Sequence, residues 1–255
     1  MNEIRYLELE AHDAFENMAI DEAIMLGIKE HTSPPTLRLY RWQPSAVSIG
    51  TFQSMRDEVD VSFCDKKGID CIRRITGGGA VFHDYEGEIT YSIILPKEHS
   101  LVAEDIIDSY RVLCAGITTG LTHLGIHAEF KPINDIVVNG RKVSGNAQTR
   151  RYSCILQHGT VLLDLDIETM FQVLKVPAEK ISDKMVRDVK ARVTSLREVS
   201  GRRIEMDELR TALVDGFTEA LNLQIAGGKL SREEDATAQR LAREKYATKR
   251  WNFSR

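Results

Sequence analysis

Residues 73–84 read Arg-Arg-Ile-Thr-Gly-Gly-Gly-Ala-Val-Phe-His-Asp, so two arginines precede three consecutive glycines and a short apolar run. Three glycines remove every side chain from this loop, and backbone N–H groups can then closely approach an anion or a carbonyl oxygen. Arg73 and Arg74 offer forked donors that suit phosphate or carboxylate. No Gly-Lys-Ser/Thr follows, which excludes a Walker A loop, and a strand rather than a helix is predicted next, which excludes a dinucleotide fingerprint. By itself, such a run of glycines is also typical of a flexible loop or a bulge.

The hydrophobic pattern predicts strands on both sides of this loop. Residues 80–83 and 88–95 look like two strands, and we expect them to pair as a hairpin through a turn at 85–87. Further strands are predicted over 127–163. Within that stretch, Asn139–Gly140 is a strong hairpin signal.

Helices are predicted on either side of these strands. Apolar residues recur at helical spacing over 13–30, with Asp13 as the N-cap, and again over 103–124. A charged helix is expected over 57–67, and the C-terminal part is again helical. Because the strands cluster in the middle and the helices alternate irregularly with them, we expect an α+β fold of mixed, largely antiparallel β-sheets flanked by helices.

Composition excludes several classes of protein. The chain of 255 residues is 42% hydrophobic and 28% charged, which is ordinary for a globular protein and excludes a disordered one. Its 34 basic and 38 acidic residues give a net charge of −4, so any anion must be bound at a local site and not on a basic face. The four cysteines form no CxxC pair. Neither a signal peptide nor a membrane span is predicted, and we expect a cytoplasmic protein.

A second stretch that can carry chemistry, residues 134–148, reads Asn-Asp-Ile-Val-Val-Asn-Gly-Arg-Lys-Val-Ser-Gly-Asn-Ala-Gln. Strand alternation would place Lys142 and Ser144 on one face. A lysine here is also typical of a solvent-facing edge strand, and a functional role requires that it point into a pocket.

Three shorter stretches are ambiguous when each is taken alone; they are Asn17–Ala23, Gln157–Thr160 and Arg192–Leu196. Asp21 and Glu22 most simply solvate the outer face of the first helix. His158, beside a glycine, is more often structural than catalytic.

Taken together and in this order, the stretches resemble the catalytic domain of the lipoate-protein ligase family, in the superfamily that also holds biotin-protein ligases and octanoyltransferases. The resemblance runs from Asn17 to Leu196 and covers nearly the whole chain, while residues 246–253 look like the archaeal branch. It implies the biotin/lipoate ligase catalytic-domain fold, as a single domain over residues 1–255. It also implies that the small C-terminal accessory domain of bacterial ligases is absent from this chain and is supplied by a separate subunit.

The resemblance implies an enzyme that activates lipoate with ATP to lipoyl-AMP and then transfers the lipoyl group to one lysine of a carrier protein. Lys142 would be the catalytic residue, contacting the carboxylate and α-phosphate oxygens, and Asp135 would help to hold Mg²⁺. The residues implied to bind lipoate or ATP are Arg73, Arg74, Gly77, Gly78, Gly79, Phe82, His83, Asn134, Asp135, Ser144, Gly145 and His158. The carrier would be a glycine-cleavage H protein, an E2 lipoyl domain or a lipoate-binding protein. Neither nucleic acid nor a membrane is expected as a partner.

Two alternatives remain open from the sequence. An octanoyl or lipoyl transferase would use a cysteine thioester and no ATP, and Cys154 lies between Lys142 and His158. The related cysteine transferases carry their nucleophile just before the strand that begins here at Asn134, where this sequence has Asn-Asp. A non-enzymatic module that holds lipoate or lipoyl-AMP for a partner is the other alternative. A biotin ligase is less well supported, because the glycine loop differs from that family's pattern.

Overall fold

The computed structural model describes residues 2–175 and 191–255. Its strands are β1 (Asn2–His12), β2 (Thr36–Trp42), β3 (Ala46–Ile49), β4 (Asp70–Arg73), β5 (Val81–His83), β6 (Glu88–Pro96), β7 (Glu129–Lys131), β8 (Asp135–Val138), β9 (Arg141–Arg151), β10 (Cys154–Leu162) and β11 (Leu223–Gly228). Its helices are α1 (Ala14–Lys29), α2 (Met55–Glu58), α3 (Val61–Lys67), α4 (Ile106–His123), α5 (Ile167–Val173), α6 (Leu196–Ser200), α7 (Met206–Ala220), α8 (Arg232–Leu241) and α9 (Lys249–Asn252), with a π-helical turn over Ala242–Tyr246.

The strands form two sheets. The larger has eight strands in the order β11-β1-β2-β6-β10-β9-β8-β7, and only β1 runs parallel to its two neighbours; the other pairs are antiparallel. The smaller sheet has the order β4-β3-β5. The predicted α+β class, with largely antiparallel sheets flanked by helices, is confirmed.

Local sequence signals place several elements correctly. Asp13 accepts a hydrogen bond from Glu16 N and begins α1 as its N-cap. Asn139 and Gly140 have φ angles of 51° and 77° and form the tight turn between β8 and β9, as the Asn-Gly signal predicts. The charged helix expected over 57–67 is broken at Val59, where the backbone is extended, into α2 and α3.

The predicted hairpin of residues 80–83 with 88–95 is wrong. β5 pairs with β3 in the small sheet, whereas β6 pairs with β2 and β10 in the large sheet. The turn between β5 and β6 therefore carries the chain from one sheet to the other. Adjacent strands with alternating patterns need not pair, because pairing also depends on partners distant in sequence.

Two apolar clusters cover the large sheet. One contains residues of α4 and α7, and the other contains residues of α1 and α8. α4 and α7 pack closely through glycines: a Cβ on Gly216 would lie 2.2 Å from Gly120 N. Among the described helices, none combines the length and the apolar composition needed to cross a membrane.

Candidate functional site

A cavity of about 290 Å³ lies where the two sheets meet. Its wall is mostly apolar, with contributions from Met18, Val81, Leu162 and Leu165, and charged or polar groups are confined to a few places. A mostly apolar cavity with a few convergent polar groups is the usual form of a small-molecule site. We therefore take this cavity as the candidate functional site.

Lys142 lies on its wall because β9 is irregular. The β8–β9 register pairs Ile136 with Ser144 but Val137 with Lys142, which leaves Val143 as the extra residue of a bulge. Bulges redirect side chains and are common beside active sites. The strand alternation that would put Lys142 and Ser144 on one face is broken here, and only Lys142 lines the cavity.

The backbone and side chain of Lys142 are both held in place. Its N–H donates to Arg192 O at 2.7 Å, and its carbonyl accepts from Thr194 N at 2.9 Å. The otherwise uninformative stretch Arg192–Leu196 therefore fixes the lysine backbone. The ammonium group lies 2.6 Å from Asp135 Oδ1, and the lysine side chain is 37% exposed. A Cβ on Gly145 would lie 2.5 Å from Nζ, so glycine leaves room for the ammonium group.

The two adjacent arginines have different surroundings. Arg74 lines the cavity and donates to Ser48 Oγ at 3.0 Å and to Gly79 O at 2.7 Å, which fixes one end of the glycine loop. Burial lowers the pKa of Arg74 to about 10, so it remains charged at neutral pH. Arg73 is buried outside the cavity wall. Its guanidinium donates to five backbone carbonyl oxygens, those of Gly50, Thr51, Gln53, Trp251 and Asn252.

The glycine loop is packed closely against β3. A Cβ on Gly50 would lie 2.1 Å from Gly78 O, so only glycine fits there. Gly78 itself has φ of 100°, which L side chains rarely adopt. These contacts make residues 77–79 a shaped wall and not a free loop.

Asn134 reaches the cavity through a reciprocal amide contact with Asn146. Its side chain donates to Asn146 O, and Asn146 Nδ2 donates to Asn134 O at 2.9 Å. Tyr91 OH donates to Asn146 Oδ1 at 2.7 Å from the neighbouring part of the sheet. The pair fixes the start of β8 against β9.

His83 lies in a chain of buried polar groups. Its Nε2 is 2.8 Å from Ser48 Oγ, and its Nδ1 is 2.7 Å from Glu88 Oε1. Thr90 Oγ1 donates to the same Glu88 oxygen at 2.8 Å. The Trp42 ring stacks on the imidazole with centroids 4.0 Å apart. Neither Ser48 nor Glu88 is predicted from the sequence, because they lie on separate strands, β3 and β6, and no motif links them.

His158 lies on the cavity wall in a second buried network. Its Nε2 is 2.8 Å from Thr76 Oγ1, and its Nδ1 is 3.8 Å from Asp21 Oδ2. Burial lowers the pKa of His158, although the neighbouring Asp21 opposes that effect. Burial disfavours the charge of Asp21, yet hydrogen bonds from His158 and Ser92 and the charge of Arg38 lower the pKa of its carboxyl group.

The expectation that Asp21 and Glu22 solvate the outer face of the first helix is wrong. Both are buried, and Glu22 binds Lys245 at 2.6 Å and Tyr246 OH at 2.5 Å. Helix α1 is covered on most sides, by the sheet, by α8 and by the π-helical turn. Its even distribution of apolar residues was the signal for such a helix.

The structure brings most of the predicted site residues together. Those on the cavity wall are Arg74, Gly78, Gly79, Phe82, His83, Asn134, Lys142, Gly145 and His158. The others lie outside the described wall: Asp135 beside Lys142, Gly77 within the loop, Ser144 fully buried, and Arg73 against the C-terminal residues.

No cysteine reaches this cavity, since all four lie within the described residues and none is on its wall. Cys154 begins β10 and its side chain packs against α1, where its thiol donates to Arg151 O at 3.1 Å. Burial raises its pKa to about 12, which keeps the thiol protonated and unreactive at neutral pH. The suggested nucleophilic role of Cys154 is therefore not supported by its surroundings.

The Mg²⁺ site expected at Asp135 stays a prediction. In residues 2–175 and 191–255, no group of three or more His, Cys, Asp or Glu side chains is placed to hold a metal ion. Asp135 Oδ1 pairs instead with the Lys142 ammonium group.

Known proteins resemble the chain along its whole length. A family model described as "Lipoyl protein ligase A/B catalytic domain" matches residues 13–218. Octanoyltransferase LipM of Kyrpidia tusciae is 38% identical in an alignment that covers 93% of each protein. Octanoyltransferase LipM of Brevibacillus brevis is 34% identical, and the alignment covers the full length of both proteins. A structure of an archaeal lipoylation system from Thermoplasma acidophilum, a bipartite lipoate protein ligase and its E2 lipoyl domain, matches with a TM-score of 0.87 and 32% identity, covering 99% of this chain and 97% of that one.

These similarities correct the main functional prediction. Relatives that are 34–38% identical over at least 93% of this chain are octanoyltransferases, so the interpretation as an ATP-dependent lipoate ligase is wrong. They support the alternative, acyl transfer, and with it an enzyme of lipoate or octanoyl transfer. The family itself was identified correctly: the protein belongs to the lipoyl protein ligase A/B catalytic-domain family.

Proposed function

We propose that this protein is an octanoyltransferase, which moves an octanoyl group from a carrier thioester to the side-chain amine of a lysine on a lipoyl-carrier domain. Its carrier would be a glycine-cleavage H protein, an E2 lipoyl domain or a lipoate-binding protein. The observation that carries the proposal is a mostly apolar cavity with Lys142 on its wall, in a chain that resembles octanoyltransferases along its whole length. The expected accessory subunit stays a prediction.

The cavity suits an acyl chain better than a polar substrate. About 290 Å³ is near the lower end of small-molecule sites, and apolar side chains from both sheets make up most of its wall. Burial of a straight alkyl chain there gains roughly 0.8 kcal/mol per methylene group. The fatty chain would therefore supply most of the binding free energy.

Lys142 is placed to stabilise charge that develops on the acyl carbonyl oxygen. Attack on a thioester moves negative charge onto that oxygen, and a fixed cation beside it lowers the barrier. The ammonium group is partly exposed and is held by the Asp135 carboxylate, so a short side-chain rotation would redirect it. Its backbone stays fixed by residues 192–194 during that rotation.

The proposal is tested by mixing the purified chain with octanoyl-acyl carrier protein and an apo lipoyl domain, without ATP. The octanoylated acceptor is measured by mass spectrometry. We expect ATP-independent transfer to one lysine of the acceptor. An acceptor that is modified only when free lipoate or octanoate and ATP are supplied, and never from the thioester, would overturn the proposal.

A further inference from the structure

We propose that the C-terminal residues form the docking surface for the acyl donor, a carrier protein that is acidic around its phosphopantetheine arm. This C-terminal basic surface consists of Arg240, Arg243, Lys249, Arg250 and Arg255. The inference rests on the proposed function, because it names the partner that brings the octanoyl group to the cavity.

Positive charge is concentrated near the end of a chain that is otherwise acidic. Residues 239–255 hold six basic residues and one acidic residue, whereas residues 1–238 hold 28 basic and 37 acidic residues. The net charge of −4, which predicts no basic face, therefore averages over an uneven distribution. An acidic partner is repelled by most of the chain and attracted to its C-terminal residues.

The five cations of this surface are available to a partner. All five residues are exposed, and within the described part of the chain none of their side chains lies within ion-pair distance of a carboxylate. Lys245, the sixth basic residue, is instead held by the buried Glu22 at 2.6 Å and stabilises the fold. Uncompensated positive charge on an exposed surface is what steers an acidic protein to its docking site.

The fold holds this surface beside the cavity wall. Arg73 N donates to Asn252 Oδ1 at 2.8 Å, and Trp251 Nε1 donates to Arg73 O at 2.7 Å. Helix α9, which supplies two of the five cations, is thus bound to the residue that immediately precedes Arg74 of the cavity wall. A carrier docked on α9 can therefore reach the cavity through its long pantetheine arm.

An exposed aromatic side chain links the basic surface to the glycine loop. Phe52 is 71% exposed, and the Arg255 guanidinium lies 5.6 Å from the centre of its ring. Phe52 also lies two residues after Gly50, which packs against Gly78 of the cavity wall. Because aromatic residues and arginine are enriched at protein interfaces, we expect Phe52 to supply the apolar contact with the carrier.

The chemistry of the two substrates assigns this surface to the donor and not to the acceptor. The arm of the donor carries a phosphodiester, which is anionic, and a basic surface attracts it. The acceptor presents a lysine side chain, which is cationic at neutral pH, and a basic surface repels it. The acyl donor is therefore the partner that fits the C-terminal basic surface.

Charge reversal on α9 tests the proposal. The double variant Lys249→Glu/Arg250→Glu places two acidic residues in the first turn of this helix, where they are favourable for folding. Transfer to a saturating apo lipoyl domain is measured from octanoyl-acyl carrier protein and from octanoyl-pantetheine, which lacks the carrier protein. We expect the KM for the carrier-bound donor to rise by about tenfold, with kcat within about twofold of wild type, and the KM for octanoyl-pantetheine to stay unchanged.

Two matched controls accompany this variant. Lys29→Glu/Lys229→Glu changes the net charge equally at two exposed lysines outside the C-terminal basic surface and the cavity wall, and it should leave both KM values unchanged. Phe52→Ala should raise the KM for the carrier-bound donor by about fivefold. Ile106→Ala, which shortens another exposed apolar side chain, should not raise it. Melting temperatures verify that each variant is folded.

The outcomes separate this inference from the proposed function. An unchanged KM for the carrier-bound donor in the folded double variant would overturn the inference and leave the proposed function standing. A rise in the KM for the lipoyl domain alone would also overturn it, because the surface would then bind the acceptor. An equal rise in the KM for octanoyl-pantetheine would overturn it as well, since the cavity would then be affected. If the wild-type chain transfers from neither donor, the proposed function fails, and the inference fails with it.

Discussion

Arg73 and Arg74 are consecutive residues with the same side chain, yet they belong to two regions with different tasks. Arg74 faces the cavity, where it contacts Ser48 and the glycine loop. Arg73 faces the other way and joins the loop after β3 to the C-terminal residues through five hydrogen bonds to backbone carbonyls. One motif therefore builds the wall of the site with one residue and stabilises the fold around it with the next.

Neutralising Lys142 on the cavity side should have the largest effect. Lys142→Met keeps the length of the side chain but removes its charge, so we expect octanoyl transfer to fall by about 10³-fold. Stability should change by no more than about 0.5 kcal/mol, because the ammonium group is partly exposed. The rate of acceptor octanoylation measures the loss of transfer, and urea denaturation measures the change in stability. A variant with near wild-type transfer would remove Lys142 from the mechanism.

Arg73→Met should affect the fold instead of the chemistry. It removes a donor from five carbonyl oxygens at buried or half-buried positions, of which those of Gly50 and Trp251 keep a second, backbone donor, so we expect the free energy of unfolding to fall by about 3 kcal/mol. The transfer rate per folded molecule should stay within about threefold of wild type. Chemical denaturation measures the free energy of unfolding. The transfer rate, divided by the fraction of folded protein, measures the effect on the chemistry.

Arg74→Met is the matched variant and should lower transfer by about 100-fold, because it removes a positive charge from the cavity wall and the hydrogen bonds that hold the glycine loop. If both arginine variants lose activity equally at equal folded fraction, the distinction between the two regions does not hold.

Adding one methyl group at Gly145 should displace the lysine without removing it. In Gly145→Ala the new Cβ would lie 2.5 Å from Lys142 Nζ and Cε, so the side chain must move away from its present position. We expect transfer to fall by about tenfold, because displacement of a catalytic group by about an ångström weakens the transition-state contact. The matched control is Gly227→Ala, because Gly227 lies in β11 at the far edge of the large sheet. Gly140→Ala is unsuitable as a control, because Gly140 has a positive φ. Equal rates in both variants would contradict the role of Gly145.

The smallest expected effect is on how the stability of the protein depends on pH. Burial lowers the pKa of His158 below its ordinary value of 6.5, so the folded protein binds that proton less tightly than the unfolded chain does. The free energy of unfolding is therefore not reduced by this residue above pH 6.5, and it decreases as the pH falls through that value. Thermal unfolding between pH 5.5 and 7.5 should show this slope, and His158→Gln should flatten it. A steeper slope in the variant would contradict the assignment.

Much of the fold was predictable because its signals are local. The Asp13 cap and the Asn139–Gly140 turn depend on hydrogen bonds and φ angles within a few residues, and both stand as predicted. The pairing of β5 and the burial of Asp21 were predicted wrongly, because each depends on partners distant in sequence. The activity was also predicted wrongly: the chain resembles both octanoyltransferases and a lipoate protein ligase, so likeness to the family does not by itself separate the two activities.

The sequence by itself determined the family, the α+β class and the set of residues around the glycine loop and Lys142. The tertiary structure decided where each of them points. Alternation at the end of β4 sends Arg73 and Arg74 in opposite directions, and a bulge in β9 separates Lys142 from Ser144. The chain's passage from the small sheet to the large one brings Glu88 to His83 and Ser48. Such meetings depend on contacts between distant strands, which no local pattern of residues encodes.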